Sequence, residues 1–206
     1  MRTELTPIRT ADDTFELSVE TSQQAHGIAD ALRQNALVEE VVAGLDRVAI
    51  HFAPQHTEAV ESFLREIKPP ENAPAPQDET VEIAIHYGGE HGPDFEAVCN
   101  ALNLSAEAFI ALHSGRLHTV EMIGFTPGFA YLSGLPEACK LPRLADPRPR
   151  LPAGSIGISG GFTGIYALDG PGGWPLIGRT RATLFDLTRD EPFLLQPGQQ
   201  VQFRSV

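Results

Sequence analysis

The chain has 206 residues, of which 42% are apolar and 20% charged, with a formal net charge of −12. That composition belongs to a folded chain of one large or two small domains and excludes global disorder. The acidic balance repels phosphate backbones and argues against nucleic acid as a partner. No apolar run is long enough to span a bilayer, and the start MRTELTPIRTADD lacks the apolar stretch of a signal peptide, so a cytoplasmic location without membrane contact is expected.

In chain order, Thr14–Val19 alternates as a strand. Residues 22–34 have helical spacing, with Ser22 as the expected N-cap and Ile28 and Leu32 on one face. Val38–Val42 and Arg47–Phe52 read as strands. Glu58–Ile67 reads as an amphipathic helix carrying Val60, Phe63, Leu64 and Ile67. Residues 1–78 are therefore expected to form a small α+β N-terminal domain, in which His26, His51 and His56 are structural or surface residues. The segment KPPENAPAPQDET (68–80), with four prolines, predicts an extended, solvated linker. Acids concentrate ahead of its end: residues 1–80 hold 15 acids and 6 bases, residues 81–206 hold 12 and 9.

After the linker, VEIAIHY (81–87) puts Val81, Ile83, Ile85 and Tyr87 on one strand face. The turn GGEHGP follows. Asp94 is expected to cap a helix carrying Phe95, Val98 and Leu102, and Ser105 to cap another carrying Phe109, Ile110 and Leu112. Beyond His113, short β-like runs (TVEMIGF, SIGISG, GIYAL, PLIGRT, QVQF) alternate with Gly/Pro turns. This pattern predicts a compact, antiparallel β-barrel or sandwich over 79–206 with one or two helices. Cys99 and Cys139 form no C-x-x-C pair and are expected to be reduced and buried.

Several motifs bear on chemistry. Gly157, Ser159 and Gly161 match the G-x-S-x-G nucleophile elbow, but β-like residues follow where the elbow needs a helix, so a Gly-rich turn is the better reading. His86 and His91, like His113 and His118, are five apart, which fits no zinc spacing, and no metal is expected. No G-x-x-x-x-G-K-[ST] loop is present, so nothing places the phosphates of ATP on this chain. The densest stretch is 124–180. There Phe125, Phe129, Tyr131, Tyr166 and Trp174 lie beside glycines and prolines that fix loop shape, and Arg143, Arg148 and Arg179 offer forks for carboxylate or phosphate. Thr163, with backbone amides near Gly160, Gly161 and Gly164, is a candidate for binding a small amide or carboxylate. These residues can build one small-molecule pocket, or the aromatics can be core and the arginines surface ion pairs.

The same stretch resembles the family of the 5-oxoprolinase B subunit, allophanate hydrolase subunit 1 and the Kip-type kinase inhibitors. The shared blocks are GFTPGFAYL, Pro142-Arg143 with Pro147-Arg148, LPAGS, TGIY and PGGWPLIGRT, and YGGEHGPD (87–94) resembles the family's opening strand and turn. Phe162 stands where the family usually has Gln, and Ala167 where it usually has Pro. The resemblance implies a cyclophilin-like, mostly antiparallel β-barrel after the α+β domain. It also implies partners similar to the C and A subunits of 5-oxoprolinase, and a complex that uses ATP to cleave 5-oxo-L-proline to L-glutamate. In that setting ATP would phosphorylate the amide oxygen, and this chain would position groups and stabilise charge. The expected site comprises His113 as acid/base with Arg143 and Arg148 at anionic groups. Substrate would be bound by Phe125, Pro127, Tyr131, Thr163, Tyr166, Trp174 and Arg179. Two alternatives stand beside this: a regulator that binds a sensor histidine kinase, and a subunit of a urea- or allophanate-processing enzyme.

Overall fold

The structure, a computed structural model, describes residues 5–68 and 80–206. The chain divides into two compact units, Met1–Ala75 and Pro76–Val206. Residues 69–79, which hold most of the expected linker and the expected boundary at 78/79, lie outside the described residues.

The N-terminal unit is one antiparallel sheet with two helices. Its elements are β1 (Ile8–Ala11), β2 (Thr14–Ser18), α1 (Ser22–Leu32), β3 (Val38–Ala43), β4 (Arg47–Phe52), a 3-10 turn at Pro54–His56 and α2 (Thr57–Glu66). The sheet order is β1-β2-β4-β3. Alternation sends Phe15, Leu17, Val48, Ile50 and Phe52 inward, where they meet Ala25, Ile28, Ala29 and Leu32 of α1 and Val60 and Leu64 of α2. Two sequence expectations change here. The N-cap of α1 is Thr21, whose side chain accepts from the Gln24 amide, while Ser22 is already helical and buried. Strand β1 has no signature in the sequence, because all four of its residues are exposed and it is held as an edge by backbone pairing to β2.

The C-terminal unit is a closed seven-stranded barrel. Its elements are β5 (Thr80–Tyr87), α3 (Phe95–Leu102), α4 (Ala106–Ser114), β6 (Leu117–Ile123), β7 (Ala130–Leu132), a 3-10 turn (Glu137–Cys139), β8 (Arg148–Leu151), β9 (Ser155–Ser159), β10 (Phe162–Ile165), β11 (Gly170–Gly172), β12 (Leu176–Arg179) and β13 (Gln200–Ser205). The barrel order is β10-β7-β6-β13-β5-β12-β9, closed by the β9–β10 hairpin, and β8 pairs with β11 in a separate ribbon. Every barrel pairing is antiparallel except β13 with β5, so the expected α+β unit followed by a mostly antiparallel barrel is what the chain forms. Ile83, Ile85, Val120, Leu132, Ile156, Ile158, Ile165, Val201 and Phe203 fill the core, and Phe95, Val98 and Phe109 join it from the helices. Cys99 and Cys139 are free and buried.

Ser105 caps α4 as expected, accepting from the Ala108 amide. Asp94 does not cap α3 with its side chain. Its carboxylate takes a stronger, charge-assisted partner, described below. Ser159 lies at the end of β9 and donates to the Leu141 carbonyl. The next residues, Gly160 and Gly161, both have positive φ (+60° and +89°) and turn the chain into β10. No helix follows, so the nucleophile elbow is absent and the motif is a hairpin turn.

Candidate functional site

Strands β7, β10 and β9 lie side by side, and the two-residue period of a strand sorts their side chains between two faces. Ala130, Leu132, Ile156, Ile158 and Ile165 face the barrel core. The alternate positions join residues from β8, β12 and the loop before β12 in a second cluster: Phe129, Tyr166, Trp174, Leu151 and Leu176 are buried in it, and Tyr131 and Phe162 pack against it. The rings meet edge to face. Phe129 is 4.8 Å from Tyr131 and 4.8 Å from Tyr166, and Trp174 lies 5.7 Å from both Phe129 and Tyr131. Gly164 makes this approach possible, since a Cβ there would sit 2.7 Å from both the Phe129 and Trp174 rings.

This cluster forms one side of a cleft of about 230 Å³, lined by Phe125, Phe129, Tyr131, Tyr166 and Trp174. Arg143, Leu144, Pro147, Pro171, Gly172 and Gly173 complete its lining. Phe125 stands at the rim. It is 62% exposed, holds a positive φ of 71° and turns its ring edge toward Phe129 at 5.5 Å. A bulky residue in that backbone region is strained, and such strain concentrates at ligand-contacting positions.

Arg143 is the cation of the cleft. It is exposed and makes no hydrogen bond or ion pair among the described residues. Burial pushes the Tyr131 phenol above its ordinary range, and the Arg143 charge opposes that shift. Burial likewise pushes the Tyr166 phenol up, opposed by the Trp174 backbone and by Arg143. Aromatic walls with one available guanidinium suit a small, flat ligand bearing a single negative charge.

The remaining expected site residues lie elsewhere. Arg148 makes a two-pronged ion pair with Asp94, at 2.8 Å and 2.7 Å, so its fork is occupied. Arg179 donates through Nε to the Ala153 carbonyl at 2.9 Å and does not line the cleft. Thr163 is fully buried on the core face of β10, opposite to Tyr166. His113 is also fully buried. Its Nδ1 pairs with the Tyr87 hydroxyl at 2.6 Å and its Nε2 with Thr163 Oγ1 at 3.1 Å. Burial, then the neighbouring His118 and Arg116, hold the His113 imidazole well below its ordinary pKa, so it is neutral. Both ring nitrogens are engaged away from solvent, and His113 does not line the cleft. Pro127 is exposed in the loop before β7 and does not line the cleft. The cleft thus unites Phe125, Tyr131, Arg143, Tyr166 and Trp174 of the expected set. Phe129 is absent from that set, although it is two residues from Tyr131 and so shares its strand face.

In and just after the glycine turn ahead of α3, four amides are used inside the fold: Gly88 donates to the Ile177 carbonyl, His91 and Gly92 to that of Gly88, and Asp94 to that of Leu176. Among the described residues no cluster of three or more His, Cys, Asp or Glu could hold a metal ion, and no single helix is long and apolar enough to cross a membrane.

Residues 9–195 match the family described as carboxyltransferase domain, subdomain C and D. The chain is 42% identical over 168 residues to the 5-oxoprolinase B subunit of Escherichia coli O157:H7, covering 81% of this chain and 77% of that protein. It is 39% identical over 192 residues to the 5-oxoprolinase B subunit of Haemophilus influenzae strain Rd, covering 90% and 88%. Among solved structures, that of TTHA0988 superposes with a TM-score of 0.79 at 32% identity. It covers 94% of this chain, which spans only 40% of the TTHA0988 chain.

Proposed function

The chain belongs to the carboxyltransferase-domain family that includes the 5-oxoprolinase B subunit, and from that premise we propose that it is one component of an ATP-dependent complex hydrolysing 5-oxo-L-proline to L-glutamate. We place it in the cytoplasm with two partners similar to the A and C subunits of 5-oxoprolinase. The observation that carries the reading is Arg143, without a partner among the described residues, at the side of an aromatic cleft. The proposed substrate is a compact, nearly flat lactam ring with one carboxylate. Its ring would lie against Phe129, Tyr131 and Trp174, and its carboxylate would meet the Arg143 fork.

A lactam is a stable amide, and ATP supplies the activation that makes its carbon–nitrogen bond cleavable. The sequence carries no G-x-x-x-x-G-K-[ST] loop, and no phosphoryl step is assigned to residues of this chain. Its own share is to hold the ring, fix the carboxylate and exclude water from the apolar walls, which lowers the entropic part of the barrier. The test is to reconstitute the three components and follow ATP-dependent glutamate release from 5-oxoproline with and without this chain. Release that depends on the chain supports the reading; equal release without it contradicts the reading.

A further inference from the structure

Asp94 occupies the N-cap position of α3, yet its carboxylate makes no cap. Its two oxygens instead bind three donors on two other segments. Oδ1 accepts from Arg148 Nη2 at 2.7 Å, and Oδ2 accepts from Arg148 Nη1 at 2.8 Å and from the Leu176 backbone amide at 2.7 Å. The Asp94 side chain is only 16% exposed and that of Arg148 32%. A two-pronged pair of this kind fixes direction as well as distance, because both planar groups must align.

The segments it joins flank the cleft. Arg148 directly follows Pro147, and in the β8–β11 ribbon its register partner is Gly172; both Pro147 and Gly172 line the cleft. Leu176 begins β12 two residues after Trp174, which also lines it. The two flanks are tied to each other as well, since the Leu144 amide donates to the Gly173 carbonyl at 2.7 Å. One carboxylate on the barrel side therefore fixes the strand that leads from the Arg143 wall and the strand that leads from Trp174.

We propose that Asp94 and Arg148 are positioning residues for the cleft: a clamp that sets the spacing between the Arg143 wall and the Trp174 wall without touching the ligand. The ligand class rests on the function proposed above, whereas the clamp itself rests on the hydrogen bonds just described. Small displacements of a positioning group cost binding far more than they cost folding. Trp174 is the sole tryptophan of the chain, so its fluorescence reports on one wall directly.

The experiment uses the full chain carrying D94N or R148K, with E61Q at the surface pair Glu61–Arg65 as control. D94N keeps the shape of the side chain and R148K keeps the charge but loses the fork, and far-UV circular dichroism establishes that each variant is folded before it is scored. Acrylamide quenching of Trp174 and its titration with 5-oxoproline are then measured. Expected are a rise in quenching of about twofold and a weakening of 5-oxoproline binding of about tenfold for both variants, with E61Q unchanged. Folded variants that quench and bind like the wild type would overturn the clamp, as would raised quenching with unchanged affinity. If the wild-type chain itself gives no 5-oxoproline signal, the ligand assignment fails and the quenching arm alone decides the clamp.

Discussion

The two faces of the β10 segment invite comparison, because Thr163 in β10 and Tyr166 just past its end, only three residues apart, meet opposite surroundings. On the core side, Thr163 continues a chain with buried His113 and half-buried Tyr87, in which each of these side chains has a polar partner. On the cleft side, Phe129, Tyr166 and Trp174 frame a space of about 230 Å³ that opens beside Arg143, which has no partner among the described residues. Satisfied polar groups in a core specify the fold. A cation left without a partner beside preformed apolar walls is a group available for a ligand. The comparison teaches that polarity alone does not mark the site; the supply of unmet hydrogen-bonding capacity does.

The comparison breaks first if the aromatic wall proves dispensable. Phe129 is 2% exposed and contacts four other rings of the cleft, so Phe129→Ala should lose about 3–5 kcal/mol of stability in denaturant titrations. Next in size is Arg143→Ala. Removing the charged hydrogen-bond partner of a carboxylate costs about 1.5–3 kcal/mol of binding, which corresponds to a rise in the apparent KM for 5-oxoproline of at least about tenfold. Because Arg143 is exposed and makes no ion pair among the described residues, the same change should move folding stability by less than about 0.5 kcal/mol.

Thr163→Val sharpens the other face. It leaves a His113 ring nitrogen without its partner, at a cost of about 1–3 kcal/mol in stability, with the KM for 5-oxoproline unchanged. The smallest effect is on pH dependence. Burial depresses the folded-state pKa of His113, and of His118, below the ordinary imidazole value near 6.5. In the window between that value and the lower folded pKa, the unfolded chain binds more protons. The associated stability is therefore present above about pH 6.5 and is lost as pH falls below it, at up to about 1.4 kcal/mol per pH unit for each group. His113→Gln should flatten the fall of the urea midpoint between about pH 7 and pH 5.5.

Much of the fold is legible in the sequence because alternation and capping are local. The inward residues of β2, β4, β5 and β9 follow from period two, and Ser105 caps α4 from its position alone. The division between the faces of β10 is legible in principle as well: residues 163 and 166 differ by an odd number and cannot share a strand face. The features that local pattern misses are decided over long separations. Asp94 reads as a cap until Arg148, 54 residues on, claims its carboxylate. The backbone carbonyl that occupies Arg179 belongs to Ala153, in the turn before β9. Arg143, Arg148 and Arg179 look alike in the sequence, and only tertiary contacts show that Arg143 lines the cleft, that the Arg148 fork is taken by Asp94 and that Arg179 Nε is turned to the Ala153 carbonyl.

The most direct test compares Arg143→Ala with Thr163→Val in the reconstituted three-component complex, measuring the KM for 5-oxoproline in ATP-dependent glutamate release. The cleft account predicts a rise of at least about tenfold for Arg143→Ala and a wild-type value for Thr163→Val. A wild-type KM for Arg143→Ala together with a raised KM for folded Thr163→Val would contradict it, and would move the ligand to the opposite face of β10.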